Sequence, residues 1–173
     1  MLVTPGTLAT PRLRLRPLTE ADTDWWVRLH ADAEVNRFVG AYSPELAAAR
    51  LQETERQWAQ RGYGLCAVEL ASSGEAIGRS GLNWWKQFDE TEVSWIFARS
   101  HWGNGYASEA GRAVLTWGFD ALDLKQITAM IRHGNTRSVT VARRLGFAPL
   151  REEHFLGGPC TVFARTRGTF TPR

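Results

Sequence analysis

The residues best suited to chemistry form a glycine-containing turn at the start of a predicted helix. The segment reads Trp-Gly-Asn-Gly-Tyr-Ala-Ser-Glu-Ala over residues 102–110, and a strand-like segment precedes it at residues 92–98. Gly103 and Gly105 have no Cβ atom, so backbone N–H groups there can approach a bulky anion. The helix adds unpaired N–H donors and the positive end of its dipole. The spacing predicts a phosphate-binding turn, which we call the glycine loop (residues 102–108).

Two common nucleotide-binding patterns do not fit the glycine loop. A P-loop ends in Gly-Lys-Ser/Thr, whereas Gly105 is followed by Tyr106 and Ala107. A dinucleotide-binding fingerprint needs a third glycine three residues after the second, where this chain has Ser108. Taken alone, the loop is equally compatible with a tight strand-to-helix connection that binds no ligand.

The segments that follow the glycine loop narrow the choice. A strand is predicted over residues 126–132, then a polar turn, a short helix and a Leu-Gly-Phe sequence. This order resembles the GNAT acetyltransferase superfamily, in particular the branch of ribosomal-protein N-terminal acetyltransferases and their small-molecule relatives. The resemblance extends from about Arg12 to Thr166. Its motif positions are Trp102, Gly105 and Ala107 in the loop, Asn135 and Ser138 in the later element, and Leu145-Gly146-Phe147.

The resemblance implies an acetyl-CoA-dependent N-acyltransferase with no metal cofactor. Acetyl-CoA would be the acyl donor, its diphosphate held by backbone N–H groups of residues 102–107 and its pantetheine arm by the backbone of the preceding strand. By family analogy an N–H near Phe97 would polarise the thioester carbonyl; ordinary sheet pairing is the alternative. The cofactor-binding residues expected are Phe97, Ala98, Trp102, Gly103, Asn104, Gly105, Tyr106, Ala107, Ser108, Asn135 and Ser138.

Two residues are candidates for the catalytic steps. By family analogy Glu92 borders the acceptor site and would act as general base, directly or through water, and partial burial would raise its pKa. A solvated strand carboxylate is the alternative, with Glu34 and Glu90 as other bases, or no base at all. The position where many GNAT enzymes have a tyrosine acid is Ala142 here, so Ser138 is the nearest hydroxyl to the departing thiolate. Ser138 and Asn135 are also compatible with purely structural roles at a helix start.

Aromatic residues are the candidates for the acceptor pocket, because eight Trp in 173 residues is a high number. Trp84 and Trp85 would point to opposite faces of a strand, so they cannot both be core residues. Aromatic walls favour an apolar or cationic acceptor over a strongly anionic one. Any single tryptophan is also compatible with plain core packing. The pocket candidates are Trp26, Phe38, Trp84, Trp85 and Trp95.

Composition restricts the class of protein. A chain of 173 residues with 43% hydrophobic content and a net charge of +3 fits one domain over residues 1–173, with an irregular lead-in at residues 1–11. The scattered basic residues make nucleic acid an unexpected partner. No segment predicts a membrane span, and two cysteines are too few for a disulfide framework, so we expect a cytoplasmic protein. The expected partner is an amine, either a protein N-terminus or a small molecule, and a homodimer is compatible with the sequence.

Hydrophobic periodicity and turn residues predict an α/β (α+β) domain of the GNAT type. The expected sheet is mixed and mostly antiparallel, with about six to seven strands, one splayed parallel pair and helices on both faces. A non-catalytic acyl-CoA-binding or ribosome-associated module on the same fold is the alternative function. Strands are predicted over residues 12–18, 63–70, 75–83, 92–98, 126–132, 147–155 and 160–167, and helices from residue 19 and over residues 44–60, 105–122 and 136–145.

Overall fold

A computed structural model describes residues 6–155 and 157–169, so the first part of the predicted lead-in, residues 1–5, lies outside the described residues. The described residues form five α-helices and eight strands. The helices are α1 Thr23–Ala31, α2 Ala33–Asn36, α3 Pro44–Arg61, α4 Tyr106–Asp120 and α5 Thr136–Arg144. The strands are β1 Leu8–Ala9, β2 Leu13–Pro17, β3 Leu65–Leu70, β4 Ala76–Trp85, β5 Glu90–Phe97, β6 Gln126–Arg132, β7 Ala148–Phe155 and β8 Gly158–Thr166.

All eight strands belong to one mixed sheet with the order β1-β2-β3-β4-β5-β6-β8-β7. The predicted architecture is confirmed, although the sheet has one strand more than the expected maximum. The additional strand, β1, lies in the segment predicted to be irregular. It pairs with β2 because the chain turns back at Thr10, whose N–H donates to the Leu13 carbonyl oxygen at 2.9 Å.

The parallel pair β5 and β6 divides the sheet. These strands share a single bridged position, Glu92 opposite Thr128, whereas each is paired along its length with its other neighbour. The two strands therefore diverge beyond that position, as the resemblance implied. The divergence leaves a gap in the sheet between the C-terminal parts of β5 and β6.

Helices cover both faces of the sheet. Helix α4 packs on one face through the buried residues Ala110, Val114 and Trp117, which are spaced by four and three residues and so share one side of the helix. Helices α1 and α3 cover the other face, where Trp26 and Leu51 are fully buried. The sheet is thus a wall between two layers, and side chains of one strand alternate between them.

Helix α3 has a defined boundary at each end. The Ser43 hydroxyl accepts from the Leu46 N–H at 3.3 Å, Pro44 occupies the first turn, and Gly62 is left-handed at φ 71°. The fixed ends hold the helix in register over the sheet. That register places Arg50 above the side chains of β4, with consequences for the site described below.

Candidate functional site

A cavity of about 660 Å³ lies at the gap between β5 and β6. The glycine loop and the start of α5 line it on the α4 side of the sheet. Side chains of β4, β5 and α3, together with the segment after α2, line it on the other side. The cavity therefore connects the predicted cofactor site to the predicted acceptor site through the sheet.

The glycine loop has the geometry of an anion-binding turn. Gly103 and Gly105 have φ values of 80° and 79°, in the left-handed region that favours glycine. The first intrahelical bond of α4 is the one from the Glu109 N–H to the Gly105 carbonyl oxygen at 3.0 Å. The N–H groups of Tyr106, Ala107 and Ser108 thus have no acceptor within the helix. Successive backbone donors at a helix N-terminus form a site for a phosphate group.

Two details of the predicted loop need correction. The Trp102 N–H donates to the Arg99 carbonyl oxygen at 3.2 Å in a short 3₁₀ turn, so it is not a donor for a ligand. The Asn104 side chain does not line the cavity, because its Nδ2 donates to the carbonyl oxygens of His101 and Trp102 at 3.2 Å. The available amides therefore begin at Gly103.

An ion-pair network, which the sequence analysis did not identify, braces the loop from outside. The Glu109 carboxylate accepts from the Thr10 hydroxyl at 2.5 Å and from Arg12 Nε at 2.7 Å. Arg12 also donates from Nη1 to the Asn104 carbonyl oxygen at 3.1 Å. Turned outward in this way, the Asn104 carbonyl is kept away from a bound anion. The one feature of the sequence that could have indicated this network is Glu109, which lies within the loop segment at residues 102–110.

Arg137 supplies a positive charge at the inner edge of the loop. Its guanidinium lies 4.2 Å from the centre of a Trp102 ring, and both residues line the cavity. The family usually has a polar Gln or Arg at the Trp102 position, and the loss of that side chain is expected to shift more of the binding onto the backbone amides. The stacked Arg137 offsets that loss, which the sequence could not show because the two residues are distant in the chain.

The backbone of Phe97 and Ala98 faces opposite sides of β5. The Ala98 N–H donates to the Ile77 carbonyl oxygen, and the Ala98 carbonyl accepts from the His101 N–H, both at 2.9 Å. The Ala98 N–H is therefore occupied, whereas its carbonyl oxygen can still accept a second hydrogen bond, so the pairing of Ala98 with a pantetheine amide stays a prediction. Because bonding direction alternates along an antiparallel strand, the Phe97 N–H points into the gap. The Phe97 carbonyl oxygen accepts from Trp102 Nε1 at 2.8 Å.

Asn135 and Ser138 meet at the start of α5. The Asn135 Oδ1 accepts from the Ser138 N–H at 3.2 Å and caps the helix, and both residues line the cavity. Trp95 Nε1 lies 3.3 Å from Ser138 Oγ and can only donate. The serine oxygen is therefore the acceptor in this contact, and its own O–H remains available as a donor. Trp95 lies on the α4 side, beside the loop, rather than on the acceptor side.

Glu92 is buried at the single bridged position that β5 shares with β6, and only 7% of its surface is exposed. Its Oε2 accepts from Trp85 Nε1 at 2.6 Å, and its Oε1 accepts from the Met130 N–H at 3.1 Å. Burial raises the pKa of Glu92 above its ordinary value, while the two hydrogen bonds and the Arg79 and Arg50 charges act in the opposite direction. A fixed, desolvated carboxylate of raised pKa has the properties of a proton acceptor.

Replacing Trp85 with phenylalanine is expected to raise the pKa of Glu92 further. The substitution keeps the aromatic ring and removes the N–H that stabilises the ionised carboxylate. A ¹³C NMR titration of the Glu92 side-chain carboxyl carbon measures the change. Trp84→Phe is the matched control, because Trp84 donates to Asp89 instead. An unchanged Glu92 titration in Trp85→Phe would contradict the contact.

The alternative bases differ in position. Glu34 is exposed at the edge of the cavity. Glu90 does not line the cavity, and its carboxylate accepts from both terminal nitrogens of Arg151 at 2.7 and 3.0 Å. The Glu90 carboxylate is held at the sheet edge by this ion pair, so it is not available to an acceptor in the cavity.

The five aromatic pocket candidates separate into two groups. Trp85, Phe38 and Trp95 line the cavity. Trp26 does not, because it is fully buried between α1 and the sheet. Trp84 does not either; as the alternation predicted, it points to the α4 side of the sheet, where Arg61 stacks on its ring at 3.5 Å.

The acceptor side of the cavity contains two arginines that the sequence analysis missed. Arg79 of β4 and Arg50 of α3 both line it, and Arg79 is 7% exposed. Burial lowers the pKa of Arg79 to about 10, so its guanidinium is still charged at neutral pH. The two guanidinium groups do not favour the apolar or cationic acceptor that the aromatic residues led us to expect, because positive charges repel a cation and are poorly matched to an apolar group. No contiguous motif joins the two arginines, which come from separate elements.

Within the described residues, His, Cys, Asp and Glu form no group of three or more that could hold a metal ion. None of the described helices combines the length and the apolar character needed to span a bilayer.

Comparisons with known proteins agree with the fold. The acetyltransferase (GNAT) domain family model matches residues 12–148. The chain is 33% identical to the uncharacterized Bacillus subtilis (strain 168) protein YkkB, with 91% of this chain and 94% of YkkB covered. It is 29% identical to the uncharacterized N-acetyltransferase p20 of Bacillus licheniformis, with 82% of each covered. The crystal structure of an acetyltransferase from Agrobacterium tumefaciens strain C58 superposes with a TM-score of 0.82 at 30% identity, covering 95% of this chain and 96% of that one.

Proposed function

Since this chain belongs to the acetyltransferase (GNAT) family and is an acetyl-CoA-dependent N-acyltransferase, we propose that its cavity brings acetyl-CoA and a primary amine together for direct transfer. The amine is a protein N-terminus or a small molecule. The observation that carries the proposal is the continuous cavity, which joins the glycine loop on one side of the sheet to Glu92 at the bridged position of β5 and β6. No residue is acylated during the reaction.

The cofactor half of the cavity suits the diphosphate and pantetheine of CoA. The N–H groups of residues 103–108 would hold the diphosphate, and the Arg137 guanidinium adds a charge beside them. The gap between β5 and β6 would admit the pantetheine arm. Acetyl-CoA supplies the acetyl group as a thioester, and the Phe97 N–H would stabilise the negative charge that develops on its carbonyl oxygen.

Glu92 would accept the proton that the amine must lose. Proton transfer to the carboxylate, directly or through one water, leaves a lone pair on the nitrogen, which forms the new C–N bond as the C–S bond breaks. The second proton lost by the nitrogen passes to the departing thiolate, which leaves as the free thiol of CoA. The raised pKa brings Glu92 closer to neutral pH, where a general base is most effective. Trp85 and the Met130 N–H orient the carboxylate from both oxygens.

Ser138 would stabilise the departing thiolate through its O–H, so Ser138→Ala is expected to lower kcat by about 10- to 100-fold. The estimate corresponds to loss of one hydrogen bond to a charged group. CoA affinity should change little, because the backbone amides of the loop remain. Thr140→Ala is the control on the same helix, since the Thr140 hydroxyl donates to the Thr136 carbonyl oxygen at 2.9 Å. Equal kcat values for the Ser138 variant and the wild type would refute this role.

A thiol-release assay with acetyl-CoA tests the proposed function. The acceptors are N-terminal peptides, polyamines and amine-bearing metabolites, each assayed at several concentrations. We expect saturable CoA release with at least one class and an acetylated amine as the product. Binding of acetyl-CoA without turnover on any amine would instead favour a non-catalytic acyl-CoA-binding module.

A further inference from the structure

The acceptor end of the cavity contains two guanidinium groups, Arg79 and Arg50, but only one buried carboxylate, Glu92, so one positive charge has no matching negative partner. Arg79 donates from Nη1 to the Ser94 hydroxyl at a long 3.4 Å, and Arg50 donates from Nη2 to Asn83 Oδ1 at 2.8 Å. The described residues form no ion pair between a carboxylate and either guanidinium. A desolvated cation is strongly disfavoured unless an anion compensates it.

Unpaired hydrogen-bond donors accompany these charges. Arg79 Nε and Asn83 Nδ2 are buried and have no partner among the described residues. An arginine can only donate, so the contact with Arg50 assigns the oxygen of the Asn83 amide to that bond and leaves its nitrogen as a donor. Buried polar groups normally have a partner, and a set of unpaired donors specifies an acceptor.

The donors lie beside Glu92 on one face of the sheet. Asn83 is directly opposite Glu92 in the β4–β5 register, and opposite pairs have Cβ atoms about 5 Å apart. Arg79 is on the same face of β4 and reaches Ser94, the next residue of β5 on that face after Glu92. Neighbouring His30 does not add a charge, because burial lowers its pKa to about 3. Donors for an anion therefore lie directly beside Glu92. An acceptor whose anionic group binds these donors could place its amine at Glu92 if only a few bonds separate the two groups.

We propose that the acceptor is an amine that also carries a carboxylate, with Arg79, Arg50 and Asn83 binding the carboxylate while the amine faces Glu92. The proposal rests on the proposed function for the reaction itself. Guanidinium groups match a planar carboxylate through paired hydrogen bonds. The short distance between the donors and Glu92 suits a free amino acid, in which few bonds separate the amine from the carboxylate. It does not suit a protein N-terminus, because the carboxyl group of an N-terminal residue is part of a peptide bond.

The activity test uses pairs of acceptors that differ only in charge. The L-amino acids, β-alanine and 4-aminobutyrate are each compared with their carboxamides in the thiol-release assay. We expect the acids to have the higher kcat/KM, and Arg79→Met to raise KM for the best acid by about 100-fold and to remove the preference for the acid over its amide. Arg50→Met provides a second variant should Arg79→Met fail to fold. Arg61→Met is the control, because Arg61 stacks on Trp84 outside the cavity as Arg79 stacks on Trp26.

A binding test separates this inference from the proposed function. The ¹⁵N NMR signal of Arg79 Nε is followed while acetate or benzoate, and separately acetamide or benzamide, is added to wild-type protein. We expect the carboxylates alone to shift the signal. A shift with no turnover on any amine keeps the anion site and refutes the catalytic proposal. Equal responses to acids and amides, or no response to either, overturn the inference.

Discussion

Replacing Glu92 with glutamine is expected to lower kcat by about 10²- to 10⁴-fold, the usual contribution of a general base. Glutamine occupies nearly the same volume and keeps an acceptor for the Met130 N–H, but it cannot take up a proton at neutral pH. Single-turnover thiol release under saturating acetyl-CoA measures the effect, and calorimetry with CoA shows whether the variant is folded. The loss should therefore be confined to the chemical step.

The pH profile provides a second readout of the same variant. A general base works only when deprotonated, so kcat/KM falls as the pH drops through the pKa of Glu92. Because burial raises that pKa, the acid limb should lie above the range of an ordinary glutamate, and it should disappear in Glu92→Gln. Glu90→Gln is the matched control on the same strand, since Glu90 binds Arg151 outside the cavity. Full turnover by Glu92→Gln would exclude Glu92 as the base.

The double substitution Gly103→Ala and Gly105→Ala is expected to weaken CoA binding by about 30-fold or more. An L-residue in the left-handed region costs about 1–2 kcal/mol. The loop of the free variant therefore leaves this conformation, and CoA binding must restore it at both positions at the expense of affinity. The space at both sites is open: a Cβ would meet nothing within 4 Å at Gly103 and only Arg12 at 3.7 Å at Gly105. Calorimetric titration with CoA measures the loss.

Gly62→Ala separates loop geometry from general strain. Gly62 has φ 71° at the end of α3, and a Cβ there meets nothing within 4 Å, so the cost of strain should match that of one loop position. Because Gly62 does not line the cavity, we expect Gly62→Ala to leave the affinity for CoA unchanged. Should the Gly62 variant and the loop variant lose the same CoA affinity, the weakening would come from lost stability and not from the loop.

The cofactor half of the site could be predicted because its residues are close in the chain. Gly103, Gly105 and the start of α4 form one local unit, and a turn followed by a helix N-terminus has the same physics in any fold. The capping contact of Asn135 with Ser138 is local for the same reason. The turn and the helix start therefore follow from short spacings in the sequence, whereas the role of the loop in CoA binding was implied only by the family resemblance.

The acceptor half could not be predicted because its residues meet only through tertiary packing. Arg50 belongs to α3 and Arg79 to β4, and each residue read alone is compatible with a solvated surface arginine. Only the register of β4 against β5 and the placement of α3 over the sheet bring them beside Glu92. The same limit explains Trp26, whose burial depends on how α1 packs on the sheet.

A sequence motif does not show which of its backbone N–H groups are free to bind a ligand. Ala98 and Phe97 are adjacent in sequence, yet alternation along β5 assigns one N–H to Ile77 and the other to the gap. Trp102 likewise begins the motif but bonds Arg99 through its N–H. A motif locates the segment, whereas the hydrogen-bond pattern decides which of its donors a ligand can use.

If the free amides of the glycine loop hold CoA, ¹H–¹⁵N NMR spectra recorded during a titration with CoA will locate the ligand on these groups. We expect the N–H signals of residues 103–108 to undergo the largest downfield shifts, because these amides gain a charged acceptor. Saturating CoA that leaves these signals in place, or that shifts a different surface of the protein, would contradict this mode of binding.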